Sequence, residues 1–353
     1  MIPYIEIIKK DTLKITALVE PNECWFELKY YDAGEFEIYC KASIPNMANL
    51  QKGNYVKIPN KPYIWVITSL NYSYKEGVPM ISAKGFEAKW LLKKRVIQNP
   101  IELPTSLDQA IYNLVYNNLG AGSEQARQIA GFNVELSSTG EVLTDTQATR
   151  ANLMDFVNNL LKTYSLGSIV LYENDSLTYK VLEGIDLTES VRFSQSLDNL
   201  LESNYLTDDT NLGTNALVVS TVDNVDYSQT YDTGATGVDR DEILVNSNVS
   251  TEYTPVGATE PVKLDLTNVS DLALYLNWLS QEGYTQLANY EVKNEISSTL
   301  DLTNSIYEFE NDYNLGDLVG VIDEYFSIDT SARIIKMTFS QDSKGYSEEA
   351  TYE

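Results

Sequence analysis

The stretch Gly77–Ile97, GVPMISAKGFEAKWLLKKRVI, constrains the fold more than any other. A long aromatic β segment from Tyr63 to Tyr74 leads into it, turns at Lys75-Glu76-Gly77, runs out again from Val78, and closes in a short apolar turn carrying Lys89, Lys93, Lys94 and Arg95. The pattern is a hairpin handing over to a basic knuckle. Between Lys84 and Arg95 five cations stand against the single anion Glu87, in a chain with 25 basic and 51 acidic residues.

The same period-two alternation brackets this hairpin. Thr12 to Ala42 alternates in short runs, with Asp32-Ala33-Gly34 in YYDAGEFEIY as a hairpin turn. Gly53–Ile58 is a further strand. Tyr63–Tyr74 places Ile64, Val66, Leu70, Tyr72 and Tyr74 on one face and Ser69, Asn71 and Ser73 on the other, while Trp65 and Ile67 make its first half apolar on both faces. Residues 1–97 therefore read as a small antiparallel barrel or split sandwich.

Beyond Pro100 and Pro104 the period changes to helical. Ser106 with Gln109 has the form of a capping box, and Leu107, Ile111, Leu114 and Val115 form a stripe ending at Gly120. After a loop to Thr146, a second stripe (Leu153, Phe156, Val157, Leu160, Leu161, Tyr164) stops before Gly167. The strands Ser168–Tyr172 and Leu177–Glu183 follow, joined by Glu173-Asn174-Asp175-Ser176. Ser194–Thr267 is polar with short strands. Ser270 caps a third helix holding Leu272, Tyr275, Leu276 and Leu279, with Leu287 beyond Gly283. The β period returns in Val292, Ile296, Leu300 and Leu302, and in Ala332–Ser340. The expected class is α+β, predominantly β: a first β-barrel domain over 1–97, an inserted α+β domain over 98–200, and a polar region, helix and second β-barrel over 201–353.

Composition narrows the function. A formal charge of −26 opposes general phosphate-backbone binding, whose affinity comes from cations displacing counterions. The absence of histidine removes serine and cysteine triads, histidine metal sites and the usual neutral-pH base. Cys24 and Cys40 neither form a disulfide framework nor match a zinc spacing, and are expected as buried thiols. MIPYIEIIKK lacks the order of a secretory signal, and no apolar run is long enough for a membrane helix, so a soluble protein made inside a cell is expected. The 25 tyrosines against 9 phenylalanines favour half-wet sheet surfaces.

Motifs with chemical meaning are few. Asp232-Thr233-Gly234 spells an aspartic-protease signature, but it has polar flanks and no second copy, so a loop is the better reading. A glycoside hydrolase needs paired carboxylates, which 51 acidic residues leave unassigned. Asp208-Asp209 and Asp239–Glu242 lack the alternating oxygens of a calcium loop. In LGDLVGV, Gly316 suits a turn before a strand, and Asp317 can cap local amides. The knuckle Lys93-Lys94-Arg95 has three meanings: a solvated helix end favoured by the dipole, a contact to acidic loops of a neighbouring subunit, or a DNA contact, the last opposed by the overall charge. Trp25, Trp65, Trp90 and Trp278 are core or interface anchors. Trp65 and Trp90, with Lys93, Lys94 and Arg95, are the candidate subunit-interface residues; no catalytic, cofactor or metal residue is expected.

In order along the chain, YYDAGEFEIY, LQKGNYVKI with YIWVI, SAKGFEAKWLLKKRVI, SLDNLLESNYLTDDTNLGTNALVV, GVDRDEILV, LNWLSQEGYTQL and YNLGDLVGVIDEYFSIDTSARIIKMTF resemble one family. These are the hub proteins at the tail tip of long non-contractile phages: the structural N-terminal part of tail-associated lysins and the Gp37-like tail proteins, distantly similar to the baseplate hub of contractile phages. The resemblance implies a non-enzymatic homotrimer at the virion tail tip, assembled in the bacterial host cytoplasm. Two β-barrels per subunit would form a near-sixfold ring that joins the tail tube to the tip and lets DNA pass. Implied partners are the distal tail protein, the tape-measure protein, the tail tube and receptor-binding or lysin components. The alternatives from other classes are a cell-wall hydrolase using paired carboxylates and a carbohydrate-binding tail adhesin.

Overall fold

The computed structural model describes residues 2–75, 77–300 and 306–353. Glu76 of the expected turn and Leu302 of the expected late strand lie outside the described residues. The first part of the chain forms β1 (Ile5–Ile8), β2 (Ile15–Val19), β3 (Glu23–Lys29), β4 (Glu35–Lys41), the short helix α1 (Ile44–Asn49), β5 (Tyr55–Lys57), β6 (Trp65–Lys75) and β7 (Val78–Glu87). In β3 and β4 the burial alternates strictly, with Cys24, Phe26, Leu28 and Phe36, Ile38, Cys40 inward, as a sheet with one wet face requires. Both cysteines are free and buried.

The β6–β7 hairpin forms as expected, its ladder running from Trp65 opposite Glu87 to Lys75 opposite Val78. Gly85 is required where the two strands close on the core: a Cβ there would lie 1.8 Å from the Val66 carbonyl oxygen and 2.8 Å from the Phe36 ring.

Among the described residues the strands form no closed barrel. Instead the strand Ile328–Asp342 pairs antiparallel with β3, from Lys336 opposite Lys29 to Gln341 opposite Cys24. Through that pairing the late strands continue the early ones. The sheet runs Leu200–Asp208, Lys293–Leu300, Gly345–Tyr352, Ile328–Asp342, β3, β4, β7, β6, β5, β1, β2; Leu318–Asp323 branches from Ile328–Asp342 and pairs on its other side with Arg192–Ser194. The physical reason is that β3 and Ile328–Asp342 are both half-apolar strands whose buried residues (Phe26, Leu28, Met337, Phe339) enter one core.

Helix α2 (Leu107–Leu119) buries Leu107, Ala110, Ile111, Leu114, Val115 and Leu119. Its cap is half of the expected box: Ser106 Oγ accepts from Gln109 N at 3.3 Å, while the Gln109 side chain donates to Asn113 instead. Helix α3 (Leu153–Thr163) starts at Asn152, whose side chain accepts from Met154 N at 3.0 Å. It packs beside the hairpin Gly167–Glu173/Ser176–Leu182, whose two loop residues, Asn174 and Asp175, both have positive φ. Helix α4 (Val269–Leu287) is capped by Asn268 rather than Ser270: its side chain accepts from Ser270 N at 2.8 Å and Asp271 N at 3.3 Å. Gly283 lies inside α4, where a Cβ would come within 2.9 Å of Val218, so it permits close packing and does not end the helix.

Three apolar cores result. One unites the early and late strands, a second gathers α2, α3 and the Gly167–Leu182 hairpin, and a third sits between α4 and the sheet of Asn215–Val222, Val225–Asp232 and Glu242–Asn246. Among the described residues no helix is long and apolar enough to cross a membrane.

Candidate assembly surface

The basic knuckle is a 3₁₀ helix, Ala88–Lys94, immediately after β7. Its apolar residues Ala88, Leu91 and Leu92 are buried, which turns Lys93 and Lys94 outward. Trp90 is half-buried and stacks on Phe86 with ring centroids 5.5 Å apart and planes 10° from parallel. Lys94 Nζ lies 5.1 Å over the Trp90 ring, a cation–π contact. Arg95 donates through Nε and Nη2 to the Arg127 carbonyl at 3.0 and 2.6 Å, and Arg127 in turn donates to the Asn118 side chain at 2.6 Å. Asn152 Nδ2 donates to the Lys93 carbonyl at 2.8 Å, so the knuckle is stapled to the start of α3.

Among the described residues none of Lys93, Lys94, Arg95 and Arg127 forms an ion pair. Partial burial first, then Arg95 and Lys10, holds the Lys94 ammonium below its ordinary range; burial and then Arg127 do the same for Arg95. This is a spot of crowded, unneutralised positive charge on a chain of net −26.

Trp65, grouped with the knuckle from sequence, is elsewhere. It is 0% exposed, packs 4.8 Å from the Phe26 ring, and donates its indole N–H to the Glu27 carbonyl at 2.9 Å. It offers no surface of its own and belongs to the core. Lys89 is also not part of the wet knuckle: it is 1% exposed. Its ammonium donates to the carbonyls of Lys29, Tyr30 (3.3 Å) and Ser168 (2.7 Å), with Glu87 beside it. Of its neighbours in FEAKWLL, Ala88, Leu91 and Leu92 turn inward with it, while Phe86 and Trp90 stay half-buried.

Tyr30, at the end of β3, is the other node that sequence reasoning missed. Its hydroxyl lies 2.8 Å from the Leu182 carbonyl and 3.0 Å from that of Glu183, its N–H donates to Ile335 O and its own carbonyl accepts from Ser168 N. Gly316, with φ +97°, lies against this ring: a Cβ there would lie 2.3 Å from Tyr30 Cε2. Asp317 does cap amides, accepting from Asn314 N at 2.7 Å and Ile185 N at 2.8 Å.

The acidic motifs resolve into loop chemistry. Asp232 accepts from Gly234 N at 2.7 Å and is clamped by Arg240 at 3.0 Å, and these partners hold its carboxyl down to about 2. A shared-proton dyad needs a second carboxyl against the first, and the partners Asp232 has are instead an amide and a guanidinium. A cleft of about 510 Å³ is lined by carboxylates and lysines together, with Lys162 3.9 Å from Glu291 and Lys293 3.1 Å from Glu295. Among the described residues no cluster of acidic or cysteine side chains is arranged to hold a metal.

The fold has known counterparts. A tail protein from Neisseria meningitidis MC58 superposes with a TM-score of 0.55 at 13% identity, covering 99% of this chain and 95% of its own. The 43 kDa tail protein of prophage MuSo2 from Shewanella oneidensis gives a TM-score of 0.55 at 14% identity, covering 99% and 98%. At these identities the likeness is one of fold. No curated protein matches the sequence. The profile of one family matches residues 8–351, nearly the whole chain, and on that match the chain belongs to the Siphovirus ReqiPepy6 Gp37-like protein family.

Proposed function

We propose that this protein is a structural hub of a phage tail tip, a homotrimer that forms a ring between the tail tube and the tip and lets DNA pass. The observation that carries the reading is the single sheet in which the late strand Ile328–Asp342 pairs with β3. A continuous sheet transmits load through a ladder of backbone hydrogen bonds rather than through a hinge between domains, which suits a rigid annulus. In this reading residues 1–97 and 201–353 supply the ring, and 98–200 are the inserted part. The unneutralised knuckle at Trp90, Lys93, Lys94 and Arg95 faces acidic surface of a neighbouring subunit. The distal tail protein, tape-measure protein, tail tube and receptor-binding or lysin components are the partners. The net negative charge keeps passing DNA from adhering to the ring wall.

The reading assigns no catalytic step. Mass measurement by light scattering tests it: the expected value is three times the 39.7 kDa chain. Incubation with purified peptidoglycan is the counter-test. Release of soluble muropeptides, abolished by one carboxylate substitution, would replace the hub by a hydrolase.

A further inference from the structure

The main path of the long sheet stops, among the described residues, at two free edges: β2 at one end and the strand Leu200–Asp208 at the other. An edge strand presents unpaired amides and carbonyls, and monomeric proteins guard such edges with charge, proline or a covering element. The ITALV of β2 contains neither charge nor proline, and Leu18 is 57% and Ile15 47% exposed. Beside β2 lies α1, six residues long, and none of them is buried. A single helical turn has no stability of its own and normally persists by burying a face. Here the apolar residues Ile44, 81% exposed, and Met47, 37% exposed, point away from this chain's core. The opposite edge, LLESNYLTD, has Tyr205 46% and Leu206 39% exposed and lacks proline, with Glu202 and Asp208 its two charges.

The charges at the two edges are complementary. Lys9, Lys10 and Lys14 are exposed and gather at the Ile15 end of β2, where Lys9 N donates to the Lys14 carbonyl at 3.0 Å. Lys14 pairs with Asp175 at 3.0 Å, whereas among the described residues Lys9 and Lys10 form no ion pair. Asp208 and Asp209 are exposed at the far end of the other edge. An antiparallel union sets those lysines beside those aspartates.

We infer that β2 of one copy pairs antiparallel with Leu200–Asp208 of the next copy, with α1 and Ile44 covering the seam. The contact is heterologous, joining two different surfaces, and such contacts propagate from copy to copy until a ring closes. This inference rests on the trimer reading and specifies which surfaces make it.

The test uses the full chain. Leu18→Cys and Tyr205→Cys together, treated with a short bismaleimide, are expected to give a covalent species of three chains on a denaturing gel. Each single substitution is expected to give none, because buried Cys24 and Cys40 do not compete. Leu18→Lys, at an exposed position, is expected to shift the solution mass from three chains to one with unchanged far-ultraviolet circular dichroism. A wild-type trimer that neither cross-links in the double variant nor dissociates with Leu18→Lys would overturn the edge assignment and leave the trimer standing. A wild-type chain that stays monomeric at every concentration would remove the trimer and this seam with it.

Discussion

Glu87 Oε1 lies 3.8 Å from Lys89 Nζ inside the protein, and both side chains are sealed from water, at 0% and 1% exposure. Burial pushes the Glu87 carboxyl up and the Lys89 ammonium down, and each charge opposes the shift of the other. Lys89 uses its three donors on carbonyls from two separate segments, Lys29-Tyr30 and Ser168, so the ammonium form is the one the site holds. Glu87 Oε2 accepts from Lys29 N and Gly34 N at 3.4 Å each, but Oε1 has no hydrogen-bond partner among the described residues. The pair cross-links the early sheet to the Gly167–Leu182 hairpin.

Removing one member leaves an uncompensated buried charge, which costs about 3–5 kcal/mol, whereas replacing both by apolar or neutral groups of similar size is often close to neutral. Lys89→Met is therefore expected to lower unfolding stability by about that amount, and Glu87→Gln with Lys89→Met to recover most of it. Urea denaturation of the four members of the cycle measures the coupling. A Lys89→Met variant as stable as wild type would remove the pair's structural role.

Gly316→Ala is expected to be among the most damaging small substitutions. It puts a Cβ at positive φ and 2.3 Å from the Tyr30 ring, whose hydroxyl holds Leu182 and Glu183. Backbone strain of about 1–3 kcal/mol is compounded by displacement of the tyrosine. A thermal melt of Gly316→Ala beside Gly140→Ala, also at positive φ but with open space around it, separates strain from collision. Equal losses in the two variants would mean that the Tyr30 contact adds nothing.

Burial pushes the Cys24 thiol up to about 12 and the Cys40 thiol up to about 11. At pH 8 both remain protonated, and the thiolate is the reactive form. The native protein is expected to show no reaction with Ellman's reagent and to release two equivalents after unfolding in urea. Prompt reaction of either thiol in the native state would contradict their burial in β3 and β4.

The Asp232 turn has a defined acid limit. Its folded pKa, about 2, lies below the ordinary aspartate value of about 3.9. A carboxyl depressed in this way adds stability that is present above the unfolded value and is lost as pH falls through the folded one. The carboxyl carbon of Asp232 is expected to titrate near pH 2 by nuclear magnetic resonance, and nearer the ordinary value in Arg240→Ala. An unchanged midpoint in that variant would remove Arg240 from the causes of the shift.

Much of the local structure was legible. The stripe Leu107–Val115 names α2 because a 3.6-residue period cannot be satisfied by a strand, and Asn174-Asp175 names its hairpin because both positions tolerate positive φ. At α4 the cap expected at Ser270 falls on Asn268, since both residue types cap helices and only the backbone at Asn268, extended at ψ 129°, decides. Lys89 stands with the basic knuckle in the sequence because side-chain type carries no record of which carbonyls will surround it.

The sequence by itself determined the β6–β7 and Gly167–Leu182 hairpins, the helices α2, α3 and α4, the lack of histidine chemistry, the buried thiols and the family, because periodicity, composition and ordered motifs are properties of the chain read in line; α1 and the eight- and nine-residue strands between Leu200 and Asp232 were not legible there. Tertiary structure alone decided that the two β regions join through Lys29 and Lys336 into one sheet, and that Trp65 and Lys89 are inside while Ile44 is outside. Pairing between strands some 300 residues apart depends on which half-apolar faces meet in three dimensions, and no local pattern encodes that partner.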